Sequence, residues 1–129
     1  MIALEGDGSI LMALGCLTTV GTVRPRNLTI MIMDNGLYQI TGKQETATGH
    51  NTDIVAVAKG VGLANSHWVR DETHFDELLS RSFDEGGPVL LAAKIDDKPG
   101  TGQTPRDPAL IRNRFMKGLG TGRGGALDA

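Results

Sequence analysis

Hydrophobic residues along the chain fall into two kinds of segment: short unbroken runs, and longer stretches with helical spacing. The first run, MIALE at 1–5, stops at Gly6 and reads as a buried strand. Ser9 is a good helix N-cap, and ILMALGCLTTVGTV follows it as a mostly apolar helix over 9–23. RPRN at 24–27 breaks the pattern. LTIMIM at 28–33 is wholly apolar and β-branched, as in a central parallel strand covered on both faces. DNGLYQITGKQETATGHN at 34–51 carries glycine at three places and reads as a long loop, a kind of segment that is usually functional or mobile. Asp53 caps the next helix, IVAVAKGVGL. SHWVR is a weak strand, and THFDELLSRSF is an amphipathic helix capped by Thr73 or Asp71. The Phe and Leu stripe of that helix belongs to core or interface. GGPVLLAAKI is another wholly apolar strand, and ALIRNRFMKGL a short helix beyond DDKPGTGQTPRDP.

This order predicts an α/β fold, a three-layer α/β/α parallel sheet with helices on both faces. Residues 1–98 form one domain, and 99–129 an extended tail, partly helical or disordered. Sheets of this kind bind ligands at the carboxyl ends of their strands, and both Gly6–Ser9 and Asp34–Leu37 fall there.

Composition narrows the function. The 129 residues carry 40% hydrophobic and 22% charged residues, a globular balance. Aromatics are only 4% and net charge is −2, so neither base stacking nor a general attraction to nucleic acid or anionic lipid is expected. Up to Ala93 there are 6 basic and 11 acidic residues, and from Lys94 onward 7 basic and 4 acidic. The basic tail either docks on a partner subunit or is simply solvated. A single cysteine, Cys16, excludes an internal disulfide or a cysteine-based metal site. It is expected to be a small buried hydrophobe rather than a nucleophile. No apolar run reaches membrane-spanning length and the N-terminus lacks a signal peptide's basic region, so a cytoplasmic protein is expected.

The chemistry concentrates at two turns. Asp7 follows one strand, and Gly8 and Ser9 begin a helix whose free N–H groups suit a phosphate. Gly8, lacking a side chain, would let that phosphate come close. Asp7 offers a carboxylate oxygen and Asn35 an amide oxygen, the hard ligands that Mg²⁺ favours. Together these residues suit a Mg²⁺–diphosphate site. GDGSIL lacks the third glycine of a dinucleotide fingerprint, and the G-K-[ST] ending of a phosphate-binding Walker loop is absent. On GDG alone, a merely tight turn remains an equal reading.

EGDGS followed by DNG, with Asn35 lying 28 positions after Asp7, resembles the thiamine diphosphate motif. The flanking text is similar to the pyrophosphate-binding domain of thiamine diphosphate enzymes as far as about residue 95. DNGLYQITGKQ, with Asp34 in place of the first Asn, is most similar to sulfopyruvate and phosphonopyruvate decarboxylases. Their pattern D-N-x-x-Y-x-S-T-G-G-Q is departed from at Ile40 and Lys43. The resemblance implies that Asp7, the Asn35 side chain and the Leu37 carbonyl hold Mg²⁺. It also implies that Gly6, Gly8, Ser9 and Gly36 border the diphosphate and that Tyr38 lies beside the cofactor.

The implied activity is non-oxidative decarboxylation of a small 2-oxo acid, a carbon–carbon lyase reaction. The activating Glu of the family sits on a pyrimidine domain, and none is legible in this chain. A pyrimidine-domain partner or a homo-oligomer is therefore implied, the chain being a subunit with a shortened N-terminus or a fragment. An acetolactate-synthase-like carboligase and a non-catalytic, truncated interaction module are the alternatives. His50 is read as a solvated loop residue with an acid–base role as its alternative, Lys43 as a solvated lysine with attraction of a substrate anion as its alternative, and His67 and His74 as surface groups.

Overall fold

The computed structural model describes residues 1–98, 102 and 105–121. The chain falls into two compact units, Met1–Asp97 and Lys98–Ala129. The first is an α/β unit. Strand β1 (Ile2–Gly6) leads into helices α1 (Asp7–Met12) and α2 (Gly15–Val23), and β2 (Thr29–Asp34) follows. A small hairpin, β3 (Leu37–Tyr38) and β4 (Gln44–Glu45), precedes a 3₁₀ turn at Ala47–Gly49 and helix α3 (Ile54–Gly60). Strand β5 (Ser66–Val69), helix α4 (Glu72–Asp84) and strand β6 (Val89–Lys94) complete the unit. The second unit contains α5 (Pro108–Gly118), started by Pro108 and capped by Asp107, whose carboxylate accepts from the Ala109 and Leu110 N–H groups.

The main sheet is parallel throughout, in the order β1-β2-β6-β5. The unbroken apolar runs become its centre: β2 and β6 are buried on both faces. On one face Ile30, Ile32, Leu90 and Ala92 pack with Ile10 of α1, Leu17 of α2, and Ile54, Val55 and Ala58 of α3. On the other, Val89 and Leu91 pack with Leu78 of α4. Burying a side chain such as Ile32 or Leu90 stabilises the fold by about 2 kcal/mol each. Helices thus lie on both faces, as expected. Helix α4 covers the β5–β6 half, whereas Ile2 and Leu4 of β1 remain 48% and 65% exposed.

Four expectations need correction. The helix expected over 9–23 is broken at Ala13–Leu14, so α2 starts afresh at Gly15. The break re-aims α2: Leu17 and Gly21 face inward, and Cys16 is exposed rather than buried. Gly21 lies so close to the Val61 carbonyl oxygen that no side chain fits between them. Ser9 is not the N-cap. The cap lies three residues earlier, at Gly6, with no side-chain cap bond, and the Ser9 hydroxyl donates to Glu5 Oε2 at 2.6 Å. The segment 34–51 is also more ordered than a loop, through the β3–β4 pairing and the 3₁₀ turn. The capping assignments are resolved in favour of Asp53 for α3 and Asp71 for α4.

Candidate functional site

The carboxyl ends of β1 and β2 lie side by side, with Gly6 paired to Met33 in the parallel register. A pocket of about 490 Å³ opens there. Gly6, Asp7, Gly8, Ser9, Asn35, Leu37 and Tyr38 all line it. Gly36 is the exception: it is buried beneath the wall, with φ +71, and packs on Gly49. That left-handed conformation and that close approach both call for glycine. The rest of the rim is mostly apolar, including Met12, Met33, Ile40 and Ile95.

Asp7 is the first residue of α1 and only 1% exposed. Its Oδ2 accepts from the Thr46 hydroxyl at 2.6 Å and lies 3.0 Å from the Thr48 hydroxyl. Its Oδ1 takes no hydrogen bond among the described residues. Since no sealed side-chain oxygen among them lacks a partner, Oδ1 opens onto the pocket. Asn35 is oriented by its neighbours: its amide nitrogen donates to Gln39 Oε1 at 2.9 Å, and its Oδ1 accepts from the Leu37 N–H at 3.0 Å. An amide oxygen keeps a second lone pair. The donor set is therefore one carboxylate oxygen, one amide oxygen and the backbone at Leu37, oxygen ligands of the kind Mg²⁺ takes with phosphate completing its shell. Among the described residues no group of three or more His, Cys, Asp or Glu side chains could hold a metal.

Gly8 has a second reason to be glycine: a Cβ there would stand 2.6 Å from Tyr38 Cδ1. Tyr38 is thereby pressed onto the first turn of α1 and forms part of the pocket wall.

Behind the pocket lies a polar group that the sequence did not reveal. Asp34, at the end of β2, is wholly buried. Its Oδ1 accepts from the Gly36 N–H at 3.0 Å and lies 2.9 Å from the Thr48 hydroxyl, while Lys94 Nζ donates to Oδ2 at 2.7 Å. Lys94 also donates to the Thr48 carbonyl at 3.1 Å and stands 5.2 Å above the Trp68 ring. The only sequence signal was an acid ending an apolar strand.

The remaining candidates lie outside the pocket lining. His50 pairs with Glu45 at 2.9 Å and Lys43 with Asp97 at 3.0 Å, all four side chains being exposed. His67 is half-buried, with burial holding its imidazole below the usual value and Lys59 adding to the effect. His74 accepts from the Arg70 N–H at 3.2 Å. No helix among the described residues is long and apolar enough to cross a membrane.

Comparison with known proteins bears on this arrangement. The family model for the thiamine pyrophosphate enzyme, C-terminal TPP binding domain, matches residues 1–93. The chain is 35% identical over 119 residues to sulfopyruvate decarboxylase subunit beta of Methanocaldococcus jannaschii, covering 92% of this chain and 63% of that protein. It is 34% identical over 117 residues to phosphonopyruvate decarboxylase of Streptomyces viridochromogenes, covering 89% of this chain and 29% of that protein. The chain thus spans a little under two thirds of the sulfopyruvate relative and less than a third of the phosphonopyruvate one.

Proposed function

The chain belongs to the C-terminal TPP-binding domain family of thiamine pyrophosphate enzymes, and from that premise we propose that it is the diphosphate-holding part of a Mg²⁺-dependent, non-oxidative 2-oxo acid decarboxylase. The observation that carries the reading is the open Oδ1 of Asp7 beside Asn35 and Leu37 in one pocket. Asp7 and the Asn35 amide oxygen hold the ion, with the Leu37 carbonyl as third ligand. The first turn of α1, from Gly6 to Ser9, borders the diphosphate. Gly36 shapes the turn that presents Asn35, and Tyr38 walls the cofactor on the α1 side.

When bound, thiamine diphosphate supplies the carbanion that adds to the 2-oxo acid and the electron sink that takes up the charge left by CO₂. This chain's contribution is binding and orientation. The carboxylate fixes the ion, and Met12, Met33, Ile40 and Ile95 give the pocket an apolar rim. The activating Glu comes from a pyrimidine-domain partner, a reading supported by relatives whose names call them a subunit beta. Sulfopyruvate and phosphonopyruvate, named in the relatives, are the model substrates.

Calorimetric titration of thiamine diphosphate with Mg²⁺, into the chain alone and then with a pyrimidine-domain subunit, tests this reading. Binding that requires Mg²⁺, followed by aldehyde product from a 2-oxo acid in the assembled enzyme, is expected. Acetohydroxy acid as the main product would shift the reading to a carboligase. No binding in either setting would overturn it.

A further inference from the structure

The residues behind the pocket form a continuous polar brace that runs from Lys94 through Asp34 and Thr48 to Asp7. Lys94, Asp34, Thr46 and Thr48 are absent from the pocket lining. What they do touch is the far oxygen of the carboxylate that would meet the ion.

A count of protons shows how the brace works. A hydroxyl donates one hydrogen bond only. Thr46 has a single carboxylate in reach, Asp7 Oδ2 at 2.6 Å, and its proton goes there. Thr48 has three acceptors within 3.0 Å: Asp7 Oδ2, Asp34 Oδ1 and the Thr46 oxygen. Its one proton must be shared out between two buried carboxylates. The ammonium of Lys94, 2.7 Å from Asp34 Oδ2, and the Gly36 N–H already satisfy Asp34 and draw charge from it. Asp7 has no cation of its own among the described residues, so the Thr48 proton is worth more on Asp7. Lys94 also holds the Thr48 carbonyl, fixing the turn that carries both threonines. That turn is docked further by the Thr46 N–H on the Gly36 carbonyl at 2.8 Å.

We propose that Lys94 and Thr48 are positioning residues for the divalent cation: by satisfying Asp34, Lys94 commits the Thr48 hydroxyl to Asp7 Oδ2, which locks the carboxylate with Oδ1 turned to the metal. This inference rests on the cofactor reading above and extends it to residues that touch neither metal nor cofactor. Without Lys94, the Thr48 proton turns to Asp34. Asp7 then keeps one hydroxyl instead of two and its carboxylate is free to rotate. Partners of this outer kind alter metal affinity by roughly 10–100-fold when removed.

The test measures Mn²⁺ binding by electron paramagnetic resonance at saturating thiamine diphosphate, with the pyrimidine-domain subunit present, rather than turnover. Lys94→Met and Thr48→Val are each expected to weaken Mn²⁺ by about tenfold or more, while Thr48→Ser, which keeps the hydroxyl, stays within about threefold of the wild type. The Lys94 side chain is 57% exposed, so Lys94→Met opens no cavity and carries the test should Thr48→Val fail to fold. Wild-type affinity in Lys94→Met, or equal losses in Thr48→Ser and Thr48→Val, overturns the inference while the cofactor reading stands. A wild-type protein that takes up no Mn²⁺ overturns both.

Discussion

Asp7 and Asp34 end neighbouring parallel strands, are both buried, and lie on either side of one threonine hydroxyl. Their surroundings differ. Asp34 is matched on both oxygens without the shared hydroxyl: the Gly36 N–H meets one and the Lys94 ammonium meets the other. Asp7 has both its donors on one oxygen and leaves the other to the pocket. A buried carboxylate is tolerated when its partners offset the loss of water. One that is matched on only one side is set up for a ligand, and the fully matched one is part of the framework that holds it.

Substitutions should separate the two roles. The largest effect is expected from Asp7→Ala, which removes the metal-facing oxygen. Mg²⁺-dependent binding of thiamine diphosphate should fall by about 100-fold or more by calorimetry, whereas the two hydroxyls it releases can turn to Asp34 and to each other, so the cost in a urea titration is only about 1 kcal/mol. Asp34→Ala should show the reverse weighting. It strands the buried Gly36 N–H, while its ion pair is discounted because Lys94 is largely exposed, so a loss of about 2 kcal/mol is expected in the same titration. If Asp34→Ala proved as stable as the wild type, or if Asp7→Ala bound the cofactor normally, the division of labour would be wrong.

A third carboxylate sharpens the contrast by gathering all its donors on one oxygen while standing exposed. Asp53 Oδ1 accepts from the Val55 and Ala56 N–H groups and from Trp68 Nε1. The Ala56 N–H, with Trp68 and Val55 adding to it, holds this carboxyl below its usual value. Asp53→Ala should cost about 1 kcal/mol, as for other helix caps. Because the folded-state value is depressed, the contribution is present above the ordinary carboxylate range and is lost as pH falls through the folded value. The gap in urea midpoint between wild type and Asp53→Ala should therefore close on acidification. A gap that stayed constant to low pH would show that Asp53 acts through packing alone.

The central strands were readable because residues 28–33, but for Thr29, and 89–93 are apolar, a pattern that burial on both faces imposes. The turns after β1 and β2 were readable from Asp7 and Asn35. The helix break at Ala13–Leu14 was not, since both halves are apolar and either side of the break could continue the other. The swing of Cys16 to the surface follows from that break and was equally hidden. Thr46 and Thr48 lie 39 and 41 positions from Asp7, and Lys94 lies 60 from Asp34. Their meeting depends on two crossovers of a parallel sheet, which no local pattern encodes. The contact of Gly8 with the Tyr38 ring was also hidden, because nothing near Gly8 in sequence announces that ring.

Asp34 and Lys94 also stand directly opposite each other in the pairing of β2 with β6. Strands that are greasy on both sides have little to tell one alignment from the next, because sliding by a residue exchanges one apolar contact for another. Here a slide of one residue would set Ala93 across from Asp34 and send the lysine to the other side of the sheet, stranding a charge in the interior. The pair therefore works as a key for the alignment: only the observed register lets the buried carboxylate meet its cation.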